Sequence, residues 1–513
     1  MSDWSAGYVS DIEYLPGFYR EQGPAHLTLS CLINGIAPPS TANGFDYCEL
    51  GCGHGTTVAL FAAANPQGRF HAVDFHPAHI ARARDAAEAA GLTNISFHEA
   101  SFAEMAEGEG PELPEFDFVT LHGVYSWVSP MNRGAIARFL AKKLKPGGLV
   151  YVSYNAMPGW APMMPLQRLL YEYSGLVHER SDRQVKAGLD FAEQLYKAGA
   201  KILGDEAMFG KLRGETKTQS ATDQSVYLAH EYLNGSWQPL YHVDVARELG
   251  EAKLTYAGSA TLFENYPDLA LTPDQRKALD SIGVPSLRET FKDYCVGRPF
   301  RRDVFVRGAR RISVAKRDAM LMDMAMALTI PRADARTTIQ VPLGEATLEA
   351  KHYEPIFDAL ADGPRRIAEL IDLPEVRRAG GNLSAVEIAG MLTGSNQAIP
   401  VPNPPERATP LPGVLAHNRA AANELATSEG RKSSAFAASI GGAGLHVSTM
   451  EALLYDGLCE GVPETLDALV GHAMRRLAAP ENADDASRKA ITDSMDWCLR
   501  NSLPVWRKLG VIG

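Results

Sequence analysis

The run Glu49-Leu50-Gly51-Cys52-Gly53-His54-Gly55 sets three glycines at alternate positions behind a carboxylate. Glycine permits a tight turn and lets the backbone come close to a ligand. Between a strand and a helix, such a loop aims backbone N–H groups at a nucleotide or nucleoside. The dinucleotide fingerprint GxGxxG would need its third glycine at position 56, which is Thr56, whereas this chain has Gly55. Asp74 ends the next apolar run, where an acidic side chain accepts ribose hydroxyls. A further glycine turn stands at Leu144-Lys145-Pro146-Gly147-Gly148. Nicotinamide dinucleotide or plain nucleotide binding is the alternative use of such a loop.

The elements that must position these residues alternate strand and helix. Phe45–Leu50, Arg69–Asp74, Ile95–Glu99, Phe116–Leu121 and Leu149–Tyr154 read as strands. Thr56–Asn65, Pro77–Gly91 and Asn132–Leu144 read as the helices between them. Strands separated in this way predict right-handed crossovers and an α/β parallel sheet, with ligands at the carboxyl ends of the strands. From about Trp160 to Asp280 the pattern turns mainly helical, with helices over Pro165–His178 and Asp182–Ala200. Pro299–Gly308 reads as a strand that returns to the sheet. Beyond it, Glu354–Leu360, Arg365–Ile371 and Ser384–Leu392 read as short helices, the third opening on the capping-box pattern Ser384-x-x-Glu387. Six prolines between Pro400 and Pro412 mark an extended linker. Helices are expected again from Gly413 to about Ser428 and from Ser448 to Leu458.

The chain has 513 residues, 45% hydrophobic and 22% charged, with a formal net charge of −11. An acidic balance weighs against a nucleic-acid partner, which calls for a basic face. The polar start Met1-Ser2-Asp3-Trp4-Ser5 lacks the form of a signal peptide, and the Met-rich run Asp318–Ile330 is too short to cross a bilayer. No membrane insertion and a cytoplasmic location are therefore expected. The cysteines at 31, 48, 52, 295, 459 and 498 form no CxxC pair, so free thiols are expected.

Together the loop from Glu49 to Gly55, Asp74 and the Leu144–Gly148 turn resemble the class I S-adenosylmethionine (AdoMet)-dependent methyltransferases. That resemblance implies a Rossmann-like methyltransferase core with AdoMet as cofactor. Glu49, Gly51, Cys52, Gly53 and Gly55 would line its methionine half, and Asp74 would hold the ribose. Phe75, Ser101 and Phe102 would lie near the adenine; many family members carry an acidic residue where this chain has Ser101. His122 and Gly123 would stand where the transferable methyl points. The string from Tyr8 to Tyr19, and His230-Glu231-Tyr232-Leu233-Asn234 through Gly258, are similar to bacterial methyltransferases with a methyltransferase regulatory domain, among them the rickettsial protein-lysine methyltransferases. This predicts a catalytic core over 1–160, a helical regulatory or substrate region over 161–310, and a mainly helical, winged-helix-like region over 311–513 for docking or homodimer formation.

Methyl transfer needs an aligned acceptor with a free lone pair. A lysine ammonium must first lose a proton, and an aromatic pocket assists by disfavouring its charged form. His122, Tyr125, Trp127 and Asn155 are the candidate catalytic residues, with Tyr14, Tyr19, Tyr154 and Trp160 as substrate walls. Tyr8, Tyr14 and Tyr19 can form an N-terminal lid. His230-Glu231 begins like HExxH, but Asn234 breaks that pattern, and no metal is expected at His71, Asp74, His76 and His79. The arginines between 298 and 311 are expected on a solvated strand. A protein substrate is expected because so much of the chain lies outside the core. A small-molecule methyltransferase and a non-catalytic AdoMet-binding regulator are the alternatives.

Overall fold

The computed structural model describes residues 7–201, 206–213, 221–404, 409–427, 433–477 and 485–513. The first five residues, and parts of the expected Pro400–Pro412 linker and of the helix expected up to Ser428, lie outside them.

Seven strands form one sheet: β1 (Phe45–Leu50), β2 (Gly68–Asp74), β3 (Ile95–Glu99), β4 (Phe116–Leu121), β5 (Leu144–Asn155), β6 (Leu254–Ser259) and β7 (Phe300–Arg307). Their order is β3-β2-β1-β4-β5-β7-β6. All are parallel except β7, which pairs antiparallel with both β5 and β6. This is the Rossmann-like methyltransferase arrangement, and its order reverses between β1 and β4, the place where such sheets bind ligands. The expected Pro299–Gly308 strand is thus β7.

Alternation divides the core. Tyr47, Phe118 and Tyr151 face one side, against α1 (Pro24–Ile33), α2 (Thr56–Ala64) and α3 (Pro77–Ala89). Cys48, Val119, Val150 and Val152 face the other, toward α4 (Phe102–Glu107) and α5 (Pro130–Lys143). Burial on both faces explains why these strands read as continuous apolar runs. The turn expected at Lys145–Gly148 is a bulge inside β5: Phe116 pairs with Leu144, but Phe118 pairs with Leu149. Lys145 uses this bulge to bridge Asp46 at 2.9 Å and Asp117 at 2.7 Å, fastening β1, β4 and β5 together.

Beyond the sheet lie α6 (Met164–Ser174), α7 (Ser181–Lys197), α8 (Glu206–Leu212), α9 (Ala221–Tyr232) and α10 (His242–Gly250). The expected solvated arginine strand is corrected at two positions. Arg301 has no exposed surface and pairs with Asp293, Glu289 and Asp303, while Arg298, 5% exposed, pairs with Glu264 and Asp293. Buried guanidinium groups persist because the helix Pro285–Val296 brings carboxylates to them.

The C-terminal part is helical but also holds strands that sequence periodicity missed. β8 (Ala325–Leu328) follows a helix within the Met-rich run and pairs with β11 (Arg365–Arg366) and β12 (Ala398–Val401). β9 (Thr338–Val341) and β10 (Gly344–Thr347) form a hairpin, as do β13 (Ser433–Ala438) and β14 (Ala443–Ser448). Only half of the capping box at Ser384 forms. Its hydroxyl accepts from the Glu387 N–H, but the Glu387 carboxylate receives the Tyr353 hydroxyl instead. No helix among the described residues is long and apolar enough to cross a membrane.

Candidate active site

The glycine loop leaves β1 with three left-handed residues, Gly51, Gly53 and Gly55, at φ of 71°, 53° and 69°. A Cβ on Gly51 would stand 2.5 Å from Val124, and one on Gly55 2.5 Å from Phe97. Around Gly53 there is open space, so its restriction comes from φ alone and from what must approach it. The Gly53 N–H donates to Asp74 at 2.9 Å, and the His76 N–H donates to the other Asp74 oxygen at 2.9 Å. Asp74 therefore fixes the loop; its Oδ1 also lies 3.4 Å from His79 Nδ1, and Oδ2 keeps a lone pair for a further donor.

Residues 7–19 cross the carboxyl ends of the strands as a strap. Asp11 accepts from the backbone and hydroxyl of Ser181, Glu13 pairs with Arg82, and Thr57 donates to the Gly17 carbonyl. Under the strap lies a cavity of about 70 Å³. It brings together Tyr14, Tyr19, Glu49, Gly51, Cys52, Gly53, His122, Gly123 and Trp127 from the expected set. Gly55 caps α2 beside it.

Two titratable groups define its electrostatics. Burial pushes the Glu49 carboxyl up to about 8. The Gln22 amide eases its charge without reaching hydrogen-bond geometry, and Glu49 Oε2 is buried without a donor. Glu49 is thus poised to meet a cation. Burial, reinforced by the Arg302 charge, pushes His122 down to about 3. Its Nδ1 lies 2.9 Å from the Tyr151 hydroxyl, and its ring stacks on Tyr19 at 3.5 Å between centroids. The ring is neutral and held on two sides, so it is a weak proton acceptor. Burial also raises the Cys52 thiol, so it is no thiolate.

The aromatic wall is built from both ends of the first half of the chain. Tyr14 meets the face or edge of Trp127 at 5.5 Å and His230 at 5.1 Å. Tyr8 packs on His230 and on Phe75. Four of the eight expected catalytic and substrate residues do not line the cavity. Tyr125 is fully buried in the core and donates to Glu248 at 2.8 Å. Tyr154 falls on the opposite sheet face from Tyr151, as strand alternation requires, and donates to Asp303 at 2.6 Å. Trp160 packs on Trp237 and Tyr232. Asn155 donates its side-chain amide to Glu231. Ser101 caps α4 in a capping box with Glu104, and Phe102 packs against the core beside it.

His230 and Glu231 were legible only as part of a resembling string; no spacing rule marked them as neighbours of the cavity. Among the described residues, no cluster of three or more His, Cys, Asp or Glu is arranged to hold a metal.

Residues 48–150 match the model of a methyltransferase domain, and residues 224–307 that of a predicted methyltransferase regulatory domain. The chain is 38% identical to the uncharacterized protein sll1526 of Synechocystis over 367 residues, covering 72% of this chain and 71% of that one. It is 27% identical to the uncharacterized protein RP789 of Rickettsia prowazekii over 289 residues, 55% of this chain and 49% of that one. Its fold is similar to PKMT2 from Rickettsia typhi in complex with AdoHcy, with a TM-score of 0.68 and 18% identity over 97% of this chain and 100% of that one. The chain belongs to the class I AdoMet-dependent methyltransferases that carry a methyltransferase regulatory domain.

Proposed function

We propose that this methyltransferase modifies lysine side chains of a protein substrate. The observation that supports this most is the wall facing the glycine loop: Tyr14, Tyr19, Trp127 and a neutral His122. Such a lining withholds hydration from an ammonium and so favours the neutral amine that can attack. Aromatic faces also attract a methylated ammonium. The fold shared with PKMT2 supports the same reading.

Bound AdoMet supplies an electrophilic methyl on a sulfonium. Glu49 and the loop Gly51–Gly55, Cys52 included, would hold its methionine half, the buried carboxylate answering the cationic end. Asp74 would take the ribose hydroxyls, and Phe75, Ser101 and Phe102 would border the adenine. Gly123 leaves room beside His122, and Trp127 with the strap tyrosines orients the acceptor. Alignment of this kind contributes about 7–11 kcal/mol to a bimolecular transfer. The acceptor ammonium would give its proton to water as it enters, the wall disfavouring the charged form, so that the neutral amine attacks. The catalytic core spans 1–160 with β6 and β7 completing its sheet, and residues 311–513 serve docking or dimer formation in the cytoplasm.

One observation favours a small-molecule acceptor instead: the strap narrows the cavity to about 70 Å³. A polypeptide acceptor requires the strap to lift. Incubating the full chain with tritiated AdoMet and a cell extract separates the two. Label in protein bands that survives hydroxylamine, as lysine methylation does, is expected; label confined to small molecules would overturn the proposal.

A further inference from the structure

The N–H groups of the glycine loop are largely spent within the protein. Those of Gly51 and Cys52 donate to the Val73 carbonyl at 2.7 and 3.1 Å, that of Gly53 to Asp74 at 2.9 Å, and that of Gly55 to the Cys52 carbonyl at 2.9 Å. The loop therefore turns the chain but offers few donors to an anion. Donors become available one step further on. α2 begins at Thr56 behind Gly55, which has no side chain to cap it. The N–H groups of a first helical turn lack partners within the helix, and with the helix dipole they favour an anion. Thr57 cannot turn back to serve them. Its hydroxyl donates to the Gly17 carbonyl at 3.1 Å and accepts from the Tyr19 N–H at 3.2 Å, both on the strap.

A second observation concerns His54, which stands between Gly53 and Gly55. Its side chain is 7% exposed and lines the cavity together with Thr56 and Thr57. Its Nε2 is buried without a hydrogen-bond partner. Glu13 of the strap stands 3.7 Å away, beyond hydrogen-bond reach, and already pairs with Arg82 at 2.8 Å. The ring meets that of His79 at 5.0 Å, nearly at right angles. Burial, with His79 and the Arg82 guanidinium adding to it, pushes His54 down to about 4, so the ring is neutral and Nε2 can carry its one N–H. A buried polar atom with no partner is rare in a folded protein and calls for a ligand or a water.

We propose that His54 and the first turn of α2 seat the α-carboxylate of AdoMet. With Glu49 at the ammonium, the amino-acid end of the cofactor would be read at both of its charges, and His54 would be a specificity-determining residue. The strap covers this seat: Glu13 flanks His54, and Thr57 ties Gly17 and Tyr19 down over the same turn. Arg82 balances the Glu13 charge where a second carboxylate would come near. The inference rests on the placement of the methionine half along the loop, proposed above, and is independent of the acceptor.

The test is calorimetric titration of the full chain with two probes, AdoHcy and its decarboxylated analogue, which keeps the ammonium and lacks only the carboxylate. The parent chain is expected to bind the analogue on the order of 10- to 100-fold more weakly, the scale of a hydrogen-bonded charge. His54→Ala should weaken AdoHcy by about 10-fold and leave the analogue nearly unchanged, so that the preference shrinks. Equal affinities in the parent chain, or a His54→Ala loss that is the same for both probes, overturns the proposal. Should His54→Ala fail to fold, His54→Phe keeps a ring in place without an N–H. It must show the same selective loss, and an unchanged preference overturns the proposal. If the parent chain binds neither probe, the placement of the methionine half falls, and the carboxylate seat falls with it.

Discussion

Cofactor binding should release a proton from Glu49. Burial holds this carboxyl at about 8, so at pH 7 about 0.9 of the molecules carry the proton before binding. AdoMet and AdoHcy both bring an α-ammonium, and an opposite charge within about 4–6 Å lowers a carboxyl pKa by about 1–3 units. Glu49 would then titrate between about 5 and 7, and the protonated fraction at pH 7 would drop to between about 0.01 and 0.5. The expected release is about 0.4–0.9 proton per site, offset by at most about 0.2 taken up by the ligand amine. Titration calorimetry of AdoHcy in phosphate and in Tris, whose ionisation enthalpies differ, reads this number directly. Glu49→Gln should bind more weakly and release none. Equal heats in the two buffers, or the same release from Glu49→Gln, would refute the assignment of Glu49 to the cationic end of the cofactor.

Other outcomes follow from the same geometry. Gly53→Ala meets open space but a left-handed φ, so it should cost about 1–2 kcal/mol of stability while weakening AdoHcy binding strongly; denaturant titration and calorimetry measure the two. Gly55→Ala adds a clash with Phe97 to the same strain and should lose more stability than Gly53→Ala in that titration. His122 is neutral across the working range, so His122→Asn should leave the shape of the pH–rate profile on poly-L-lysine above pH 5 unchanged; a limb near 6–7 that vanishes in the variant would show it acting as a base. The arginine cluster holds Asp303 and Glu289 well below the ordinary carboxyl range, against a burial effect that would raise them. A depressed folded pKa stabilises above the unfolded value of about 4 and is lost as pH falls, so urea midpoints should drop steeply below about pH 4. Asp303→Asn should cost about 1–3 kcal/mol near neutrality, since it takes one of three carboxylate partners from the buried Arg301, and should flatten that acid slope.

The parts of the molecule that the sequence made legible are those under backbone constraint. β1, β3 and β4 begin and end as the apolar runs predict; for β1 and β4, burial on both faces leaves little freedom in composition. The glycine loop was readable because its three left-handed positions admit no other residue cheaply. Aromatic roles were harder. Tyr154 and Tyr151 look alike in sequence, yet only the pleat decides which one faces the site, and Tyr125 takes a core position because Glu248, far along the chain, accepts its hydroxyl. The arginines at 298 and 301 read as solvated because their carboxylate partners arrive from a separate helix. The short strands β8 to β12 carry too few residues for a period of two to register. Glu231 was invisible as a neighbour of the site because its donors, Asn155 and Trp237, come from segments that only the fold brings to it.

The claim at the centre is methyl transfer from AdoMet to lysine nitrogen in a protein. Mass spectrometry of the protein bands labelled by the chain in a cell extract tests it most directly. Fragment spectra are predicted to carry the added methyl groups on lysine Nζ, and the signal is predicted to disappear with Glu49→Gln. Methyl groups on any other atom, or label found solely in small molecules, would contradict it.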